Sequence, residues 1–378
     1  MADKEKKEYQ VPHGKDITSL TEAINKAMGG NICRTGTDVG DIADTSYLYP
    51  TGILSLDKYL GIGGMLGGRI INIWGWEGVG KTLTALTVAG FMQKQKFIPC
   101  AGNVEGRGRV AFLDAESTYS PSMAKSVGVD TASLLLFQST PERILTGEDY
   151  FDIMKILVQN GIEMIIVDSL PALVPSSRMN ATIGQGQKAT SAVLIAEGLQ
   201  QLTPLLNGFK RSTIWMINQK RMKPMVMWGP TEGHTGGEAI KFFESYSIEA
   251  KKRNDIIKKV PNSTGQFEER RIGVTIEAKL HKNKTASIPC EAIQYDIYFE
   301  NVVDDEGMHY YPGVDIYKDV VQVAIQSGVI DKSSSWYTYG DIKTNGEAAF
   351  IDVLRASDPA ILQKIRSEVL SGKKVQNV

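Results

Sequence analysis

The stretch Arg69-Ile70-Ile71-Asn72-Ile73-Trp74-Gly75-Trp76-Glu77-Gly78-Val79-Gly80-Lys81-Thr82 decides how the rest of the chain is read. Its first half is a short apolar run, as in a buried strand. Its second half fits G-x-x-x-x-G-K-[ST], a loop that cradles phosphates. Glycines at 75, 78 and 80 open backbone angles closed to other residues, so successive N–H groups can turn inward onto an anion. A helix starting near Thr82 adds the positive end of its dipole. Gly75, Trp76, Glu77, Gly78, Val79, Gly80, Lys81 and Thr82 are therefore expected to hold a nucleotide triphosphate. Lys81 reaches the terminal phosphates, and the Thr82 hydroxyl ligates Mg²⁺. A chance glycine-rich turn would not call for a strand before it and a helix after it.

Composition excludes several classes. The chain has 378 residues, enough for one large domain and a small one. It contains no apolar run of 18 residues, and its charged start, Met1-Ala2-Asp3-Lys4-Glu5-Lys6-Lys7-Glu8, lacks the apolar core of a secretory signal. Cys33, Cys100 and Cys290 are far apart and odd in number, which fits reduced thiols and a cytoplasmic location. His13, His234, His281 and His309 are equally scattered, so no metal other than nucleotide-bound Mg²⁺ is expected. Net charge is −1, but residues 169–231 contain one acid, Glu197, against seven cations, giving +6 there and −7 elsewhere. Such a basic segment suggests a face for a polyanion.

Along the chain, Ser19-Leu20-Thr21-Glu22 has capping-box spacing in a helix with Ile17, Leu20, Ile24, Ala27 and Met28 on one stripe, stopped by Gly29-Gly30. Residues 31–52 read as an irregular lead-in. Apolar strands at 110–114, 134–137, 164–168 and 212–217 then alternate with helices near 83–93, 121–127, 150–159 and 191–206. This pattern argues for a mainly parallel sheet covered on both faces. Two long polar stretches, 175–190 and 220–237, interrupt it, and loops of that length usually carry function. Residues 245–299 read as shorter strands with turns, an antiparallel extension. Beyond Pro312-Gly313 a small α+β unit is expected: a helix over 314–326, an aromatic hairpin Trp336-Tyr337-Thr338-Tyr339 and two helices ending near Leu370. The division is thus 1–50, 51–312 and 313–378.

Three further positions bear chemistry. Asp168-Ser169 closes an apolar strand downstream of the phosphate loop, where a carboxylate holds Mg²⁺-bound water. Asp114-Ala115-Glu116 ends another strand, and the carboxyl ends of such strands line the ligand crevice. Glu116 is the first candidate to orient or deprotonate an attacking water, with Asp114 second; a helix-capping acid pair is the competing reading. Asn218-Gln219 ends the last core strand; on the residues alone it reads as a turn, while a neutral amide there is also placed to sense a γ-phosphate. The loop Lys220-Arg221-Met222-Lys223-Pro224-Met225-Val226-Met227-Trp228-Gly229, closing on Gly233-His234-Thr235-Gly236-Gly237, mixes cations with thioethers and an indole. That composition suits single-stranded nucleic acid, with cations at phosphates and apolar groups between bases. A second flexible loop, from Arg178 to Lys188, is placed to join it.

These residues together resemble the RecA-type homologous recombinases in their bacterial form, from about Ile17 to Leu370. The likeness rests on Thr51-Gly52-Ile53-Leu54-Ser55-Leu56-Asp57, the phosphate loop, Phe112-Leu113-Asp114-Ala115-Glu116 and Ile166-Val167-Asp168-Ser169. It extends to Asn218-Gln219-Lys220-Arg221-Met222-Lys223, Thr235-Gly236-Gly237 with Lys241-Phe242, Lys282-Asn283-Lys284 and Ser335-Trp336-Tyr337-Thr338-Tyr339. The resemblance implies an α/β fold: a RecA-like phosphate-loop ATPase core with an N-terminal helix extension and a small C-terminal domain. It implies ATP and Mg²⁺ as cofactors and a DNA-dependent ATPase that forms helical filaments on single-stranded DNA and pairs it with homologous duplex. Glu116 is then the catalytic glutamate and Gln219 the sensor. Lys282 and Lys284 reach the nucleotide of the adjacent subunit, Phe242 lies on the path between sites, and the N-terminal helix packs on the next protomer. Arg178, Lys188, Lys220, Arg221, Lys223, Met227, Trp228, Gly236 and Gly237 are expected at the DNA.

Departures from the family pattern are specific. Met123 stands where a tyrosine commonly stacks on adenine, Trp76 replaces a proline, residues 99–107 are inserted, and the chain ends Lys373-Lys374-Val375-Gln376-Asn377-Val378 in place of an acidic tail. Two other readings compete: a DNA-binding filament or adaptor protein with little hydrolysis, and a ring-forming helicase or transport ATPase on the same core.

Overall fold

Side chains alternate along Arg69–Gly75 (β1), and that alternation sets the layers of the molecule. Ile71 and Ile73 enter one buried cluster and Ile70 enters another on the opposite face, so the strand is covered on both sides. The computed structural model describes residues 16–30, 32–34, 47–94, 96–97, 106–179, 181, 190–222, 232–234, 237–287 and 291–372. By its internal contacts the chain forms two units, Met1–Thr45 and Ser46–Val378.

In the first unit, Ile17–Met28 (α1) is amphipathic and has no buried residue. Its N-cap is Asp16, not Ser19: Asp16 accepts from the Ser19 amide, and Ser19 sits at the third helical position as the reciprocal partner. The helix therefore begins earlier than the Ser-x-x-Glu spacing suggested. Gly29 ends it in the left-handed region at φ 71°.

The second unit is built on a ten-stranded sheet. Its further strands are Val110–Asp114 (β2), Leu135–Phe137 (β3), Met164–Asp168 (β4), Thr213–Met222 (β5), Glu232–His234 (β6), Tyr246–Pro261 (β7), Phe267–Asn283 (β8), Ile293–Tyr298 (β9) and Gly313–Val314 (β10). The order is β10-β9-β8-β7-β1-β5-β4-β2-β3, with β6 paired to β5 alone. Neighbours from β7 through β3 run parallel, while β8, β9 and β10 extend the sheet antiparallel. The antiparallel extension is as expected, but its strands are not short: β7 has 16 residues and β8 has 17. Their outer halves project as a solvated ribbon bearing charges on both faces, and bulges shift the register at Ser247/Ile248, Lys252/Asn254 and Ile256/Ile257.

Helix Lys81–Lys94 (α3) follows β1 and buries ten of its 14 residues, including Thr84, Ala85, Val88 and Ala89. A helix enclosed on nearly all sides has no polar face to rotate outward, which fixes its N-terminus beneath the phosphate loop. Gly147–Gln159 (α5) and Thr190–Phe209 (α6) cover the other face, with Pro121–Ser126 (α4) at the end of β2.

At the C-terminal end, Ile316–Gln326 (α8), Glu347–Ala356 (α9) and Pro359–Leu370 (α10) enclose a third cluster around Val320, Phe350 and Ile365. The aromatic hairpin is the middle of a three-stranded sheet, Trp336–Tyr339 lying between Asp331–Ser333 and Ile342–Asn345. Leu54 of the short helix Leu54–Tyr59 (α2) completes that cluster. A buried polar clasp crosses here. Arg366 donates to Gly52 O at 2.7 Å and Asp57 Oδ2 at 2.6 Å, while Thr51 N and Oγ1 donate to Asp57 Oδ1, both at 2.7 Å. Among the described residues no helix is long and apolar enough to cross a membrane.

Candidate nucleotide site and the strand leading to the basic loop

The C-terminal ends of β1, β5, β4 and β2 lie side by side, so residues 75–82, 219, 168–169 and 114–116 converge although they are far apart in sequence. Only Gly78 and Gly80 take positive φ, 72° and 82°. Gly75 is needed for a different reason: a Cβ there would stand 2.2 Å from Ala250 O on β7. Lys81 is buried, its ammonium donating to Gly75 O at 3.1 Å and Trp76 O at 2.7 Å. Burial pushes its pKa below the usual value, against the pull of Asp168, Glu116 and Glu77.

Thr82 Oγ1 donates to Asp168 Oδ2 at 2.7 Å. Burial pushes the Asp168 carboxyl up to about 6; the Thr82 hydrogen bond opposes this, and the nearby charges of Glu116 and Asp114 add to it. Ser169 Oγ donates a short hydrogen bond to Glu116 Oε1, and the Ala115 amide donates to Asp168 O at 2.8 Å. Hydroxyl and carboxylate oxygens at the mouth of a buried acidic site form the donor set that a hard divalent cation takes, so these residues fit Mg²⁺.

Asp114 is not available as a base. Its carboxylate accepts from the amides of Thr118 and Tyr119 and from Gln138 Nε2 at 2.6 Å, and it is fully buried. It builds the turn that carries Glu116. A cleft of about 310 Å³ gathers Glu77, Gly78, Gly80, Lys81, Thr82, Glu116, Asp168, Ser169 and Gln219. Its apolar wall is Leu83, Met123, Ile217 and Phe299. Phe299, just beyond β9, escaped the sequence reading because an aromatic after an antiparallel strand has no local signature. The Arg271 guanidinium lies 5.4 Å from its ring centroid.

Asn218 and Gln219 do not end their strand. β5 runs on to Met222, because β6 pairs with it there in the register His234↔Lys220, Gly233↔Arg221 and Glu232↔Met222. Residues 220–222 and 232–234, which flank residues 223–231 in the sequence, therefore pair as a two-stranded ribbon rooted at Lys220. Lys220 itself, expected among the DNA-contacting cations, is buried and pairs with Glu249 at 2.9 Å. Arg211 likewise pairs with Glu163. Two charges of the basic segment are thus neutralised by acids outside it. Arg178 is exposed in the one-turn helix Ser176–Met179. Arg221 lies in β5 and Gly237 opens Gly237–Phe243 (α7). Lys188, Lys223, Met227, Trp228 and Gly236 lie outside the described residues, as do the first residues of the chain, most of the 99–107 insertion and the final Lys373–Val378 segment.

Lys282 and Lys284 stand apart from the cleft. Their ammonium groups donate to the carbonyls of Lys241 and Phe242, and Phe242 is 73% exposed. Burial, and after it the adjacent Lys282 charge, hold the Lys284 pKa below its usual value. Cys33 is a free thiol, and among the described residues no His/Cys/Asp/Glu group is arranged to hold a metal by itself.

Fold and site together define a phosphate-loop ATPase with a mainly parallel sheet. The family model described as the RecA N-terminal domain matches residues 15–304. The chain is 34% identical to Protein RecA of Thermus aquaticus over 359 residues, 94% of each chain. It is also 34% identical to Protein RecA of Syntrophus aciditrophicus (94% of this chain, 93% of the relative) and 35% identical to that of Geobacter sulfurreducens (86% and 85%). The chain belongs to the RecA family, and its role is that of an ATP-dependent DNA recombinase and repair protein.

Proposed function

We propose that the protein hydrolyses ATP with Mg²⁺ in the cleft beneath Gly75–Thr82 and uses the nucleotide state to hold a helical filament on single-stranded DNA in the cytoplasm, pairing it with homologous duplex. One observation carries this reading. Lys81, the Thr82–Asp168 pair, the Glu116–Ser169 pair and Gln219 meet in one cleft, and Gln219 lies on the strand that continues into the basic ribbon.

Mg²⁺ supplies charge neutralisation at the phosphates when bound. Thr82 and Asp168 hold it. Lys81 leaves the Gly75 and Trp76 carbonyls for the terminal phosphates, and the loop amides bind the rest of the chain of phosphates. Glu116, fixed through Ser169, orients the attacking water and takes its proton. Gln219 senses the γ-phosphate. Leu83, Met123 and Phe299 hold the base, so the aromatic surface absent at Met123 comes from Phe299. Lys282 and Lys284, whose ammonium groups donate to the carbonyls of Lys241 and Phe242, serve the nucleotide of the next protomer, and Phe242 lies between. Residues 313–378 form the small C-terminal domain.

ATP turnover measured with and without single-stranded DNA, alongside negative-stain images, tests the reading. DNA-stimulated turnover with helical filaments is expected. Rings, or turnover indifferent to DNA, would overturn it.

A further inference from the structure

Beyond the cleft, one polar cluster is buried where a sheet would ordinarily be apolar. Lys220 on β5 and Glu249 on β7 flank β1 from either side, with Trp74 opposite both Asn218 and Glu249 in the register. Their side chains are 3% and 5% exposed. The Lys220 ammonium is 5.9 Å from the ring centroids of both Trp74 and Trp76. Glu249 Oε2 meets His281 Nε2 at 2.9 Å and Lys251 Nζ at 3.2 Å. Burial pushes the Glu249 carboxyl up, but the hydrogen bonds from Lys220, His281 and Lys251 outweigh it and hold the pKa below its usual value. Trp74 Nε1 donates to Ser247 Oγ at 3.1 Å, which fixes that indole on β7.

Burying an ion pair brings little net stability, so its position asks for another explanation. Trp76 is a residue of the phosphate loop. Its carbonyl accepts from Lys81 at 2.7 Å, while its ring, 45% exposed, lies by Lys220. Lys220 follows Gln219 and is the first residue of β5 to pair with β6. A continuous contact path therefore runs Lys81–Trp76–Lys220 to the root of the ribbon. When Lys81 turns to a phosphate, the Trp76 peptide loses its donor, and the indole is the part of the loop that touches the ribbon.

We propose that Lys220 is a positioning residue, held by Glu249, that transmits the state of the phosphate loop through Trp76 to the ribbon Thr213–Met222/Glu232–His234. Gln219 reports on the phosphate from inside the cleft; Lys220 acts from the opposite face of the sheet. The inference rests on the reading of the ribbon as a DNA-binding element.

The test compares single-stranded DNA affinity with and without a slowly hydrolysed ATP analogue, in wild type, Lys220→Met/Glu249→Gln, Lys220→Arg and Trp76→Leu. The double variant removes both charges, so neither is left buried alone. Its DNA-free nucleotide binding, measured in parallel, is expected to stay within twofold of wild type. The factor by which nucleotide tightens DNA binding should fall about fivefold or more, within the usual range of coupling between two sites. Lys220→Arg, which retains the cation and the ion pair, should keep that factor. Trp76→Leu changes a half-exposed side chain and should lose it, which covers the case of a double variant that does not fold. A coupling factor within twofold of wild type in either folded variant would overturn the proposal, as would nucleotide binding lost in step with coupling in the double variant. A wild-type protein whose DNA affinity ignores nucleotide would instead refute the underlying DNA reading.

Discussion

Replacing Phe299 with alanine tests whether the base of the nucleotide rests where the apolar wall of the cleft places it. The ring forms that wall with Leu83, Ile217 and Met123, and Arg271 braces it at 5.4 Å. The phosphate-binding residues lie on β1 and α3, whereas Phe299 follows β9, so the substitution leaves the cradle untouched. A base stacked on an aromatic ring loses about 1–3 kcal/mol when the ring is truncated. ATP should therefore bind about 5–150-fold more weakly to Phe299→Ala, towards the lower end because the Met123 thioether remains to contact the base. Inorganic tripolyphosphate, which has no base, should bind wild type and variant alike. Titration calorimetry with both ligands in Mg²⁺ separates the two halves of the site. An ATP affinity within twofold of wild type would refute the placement of the base, and so would an equal loss for tripolyphosphate.

Other consequences concern the clasp and the metal site. Arg366→Met leaves Asp57 buried without its cation, a change that costs about 3–5 kcal/mol. Calorimetry should show the melting temperature lower by about 4–7 °C, and a shift under 2 °C would contradict the role given to the pair. Asp319 is buried and accepts from the Ser55 amide at 3.1 Å; burial pushes its carboxyl up to about 6. Its pKa is raised on folding, so its stabilising contribution is full below the unfolded value and is lost as pH rises through about 6. Asp319→Asn should therefore gain on wild type by up to about 3 kcal/mol between pH 4 and pH 7 in urea unfolding; a pH-independent difference would exclude this. Thr82→Val removes a hydroxyl from the proposed Mg²⁺ site, and Mg²⁺-dependent ATP affinity should fall about tenfold. Retention of the full Mg²⁺ effect would remove Thr82 from the metal.

What the sequence made legible was local. The phosphate loop announces itself because strand, glycines, Lys81 and helix are contiguous. Asp168 and Glu116, weak signals by themselves, follow once the phosphate loop is recognised, because the carboxyl ends of the neighbouring strands line the same crevice. Several misreadings involve partners distant in sequence. Lys220 looked like a DNA-contacting cation because Glu249, which buries it, lies 29 positions away on another strand. Gln219 looked like a strand end because the pairing partner of its extension, Glu232–His234, lies beyond the loop. Phe299 resembled any core aromatic until the sheet brought it to the cleft. The length of Tyr246–Pro261 and Phe267–Asn283 was hidden because a ribbon solvated on both faces carries no apolar alternation.

The central claim is that the active site is completed by Lys282 and Lys284 of a neighbouring protomer, and mixing two inactive variants tests it. Glu116→Gln keeps the lysine pair but lacks the proposed base. Lys282→Ala/Lys284→Ala keeps the cleft but lacks the pair. In filaments of equal parts on single-stranded DNA, about a quarter of the head-to-tail junctions bring an intact Glu116 against an intact lysine pair. DNA-dependent ATP turnover should recover to about a quarter of wild type, though each variant alone is inactive. Mixtures no more active than the separate variants would contradict a shared site.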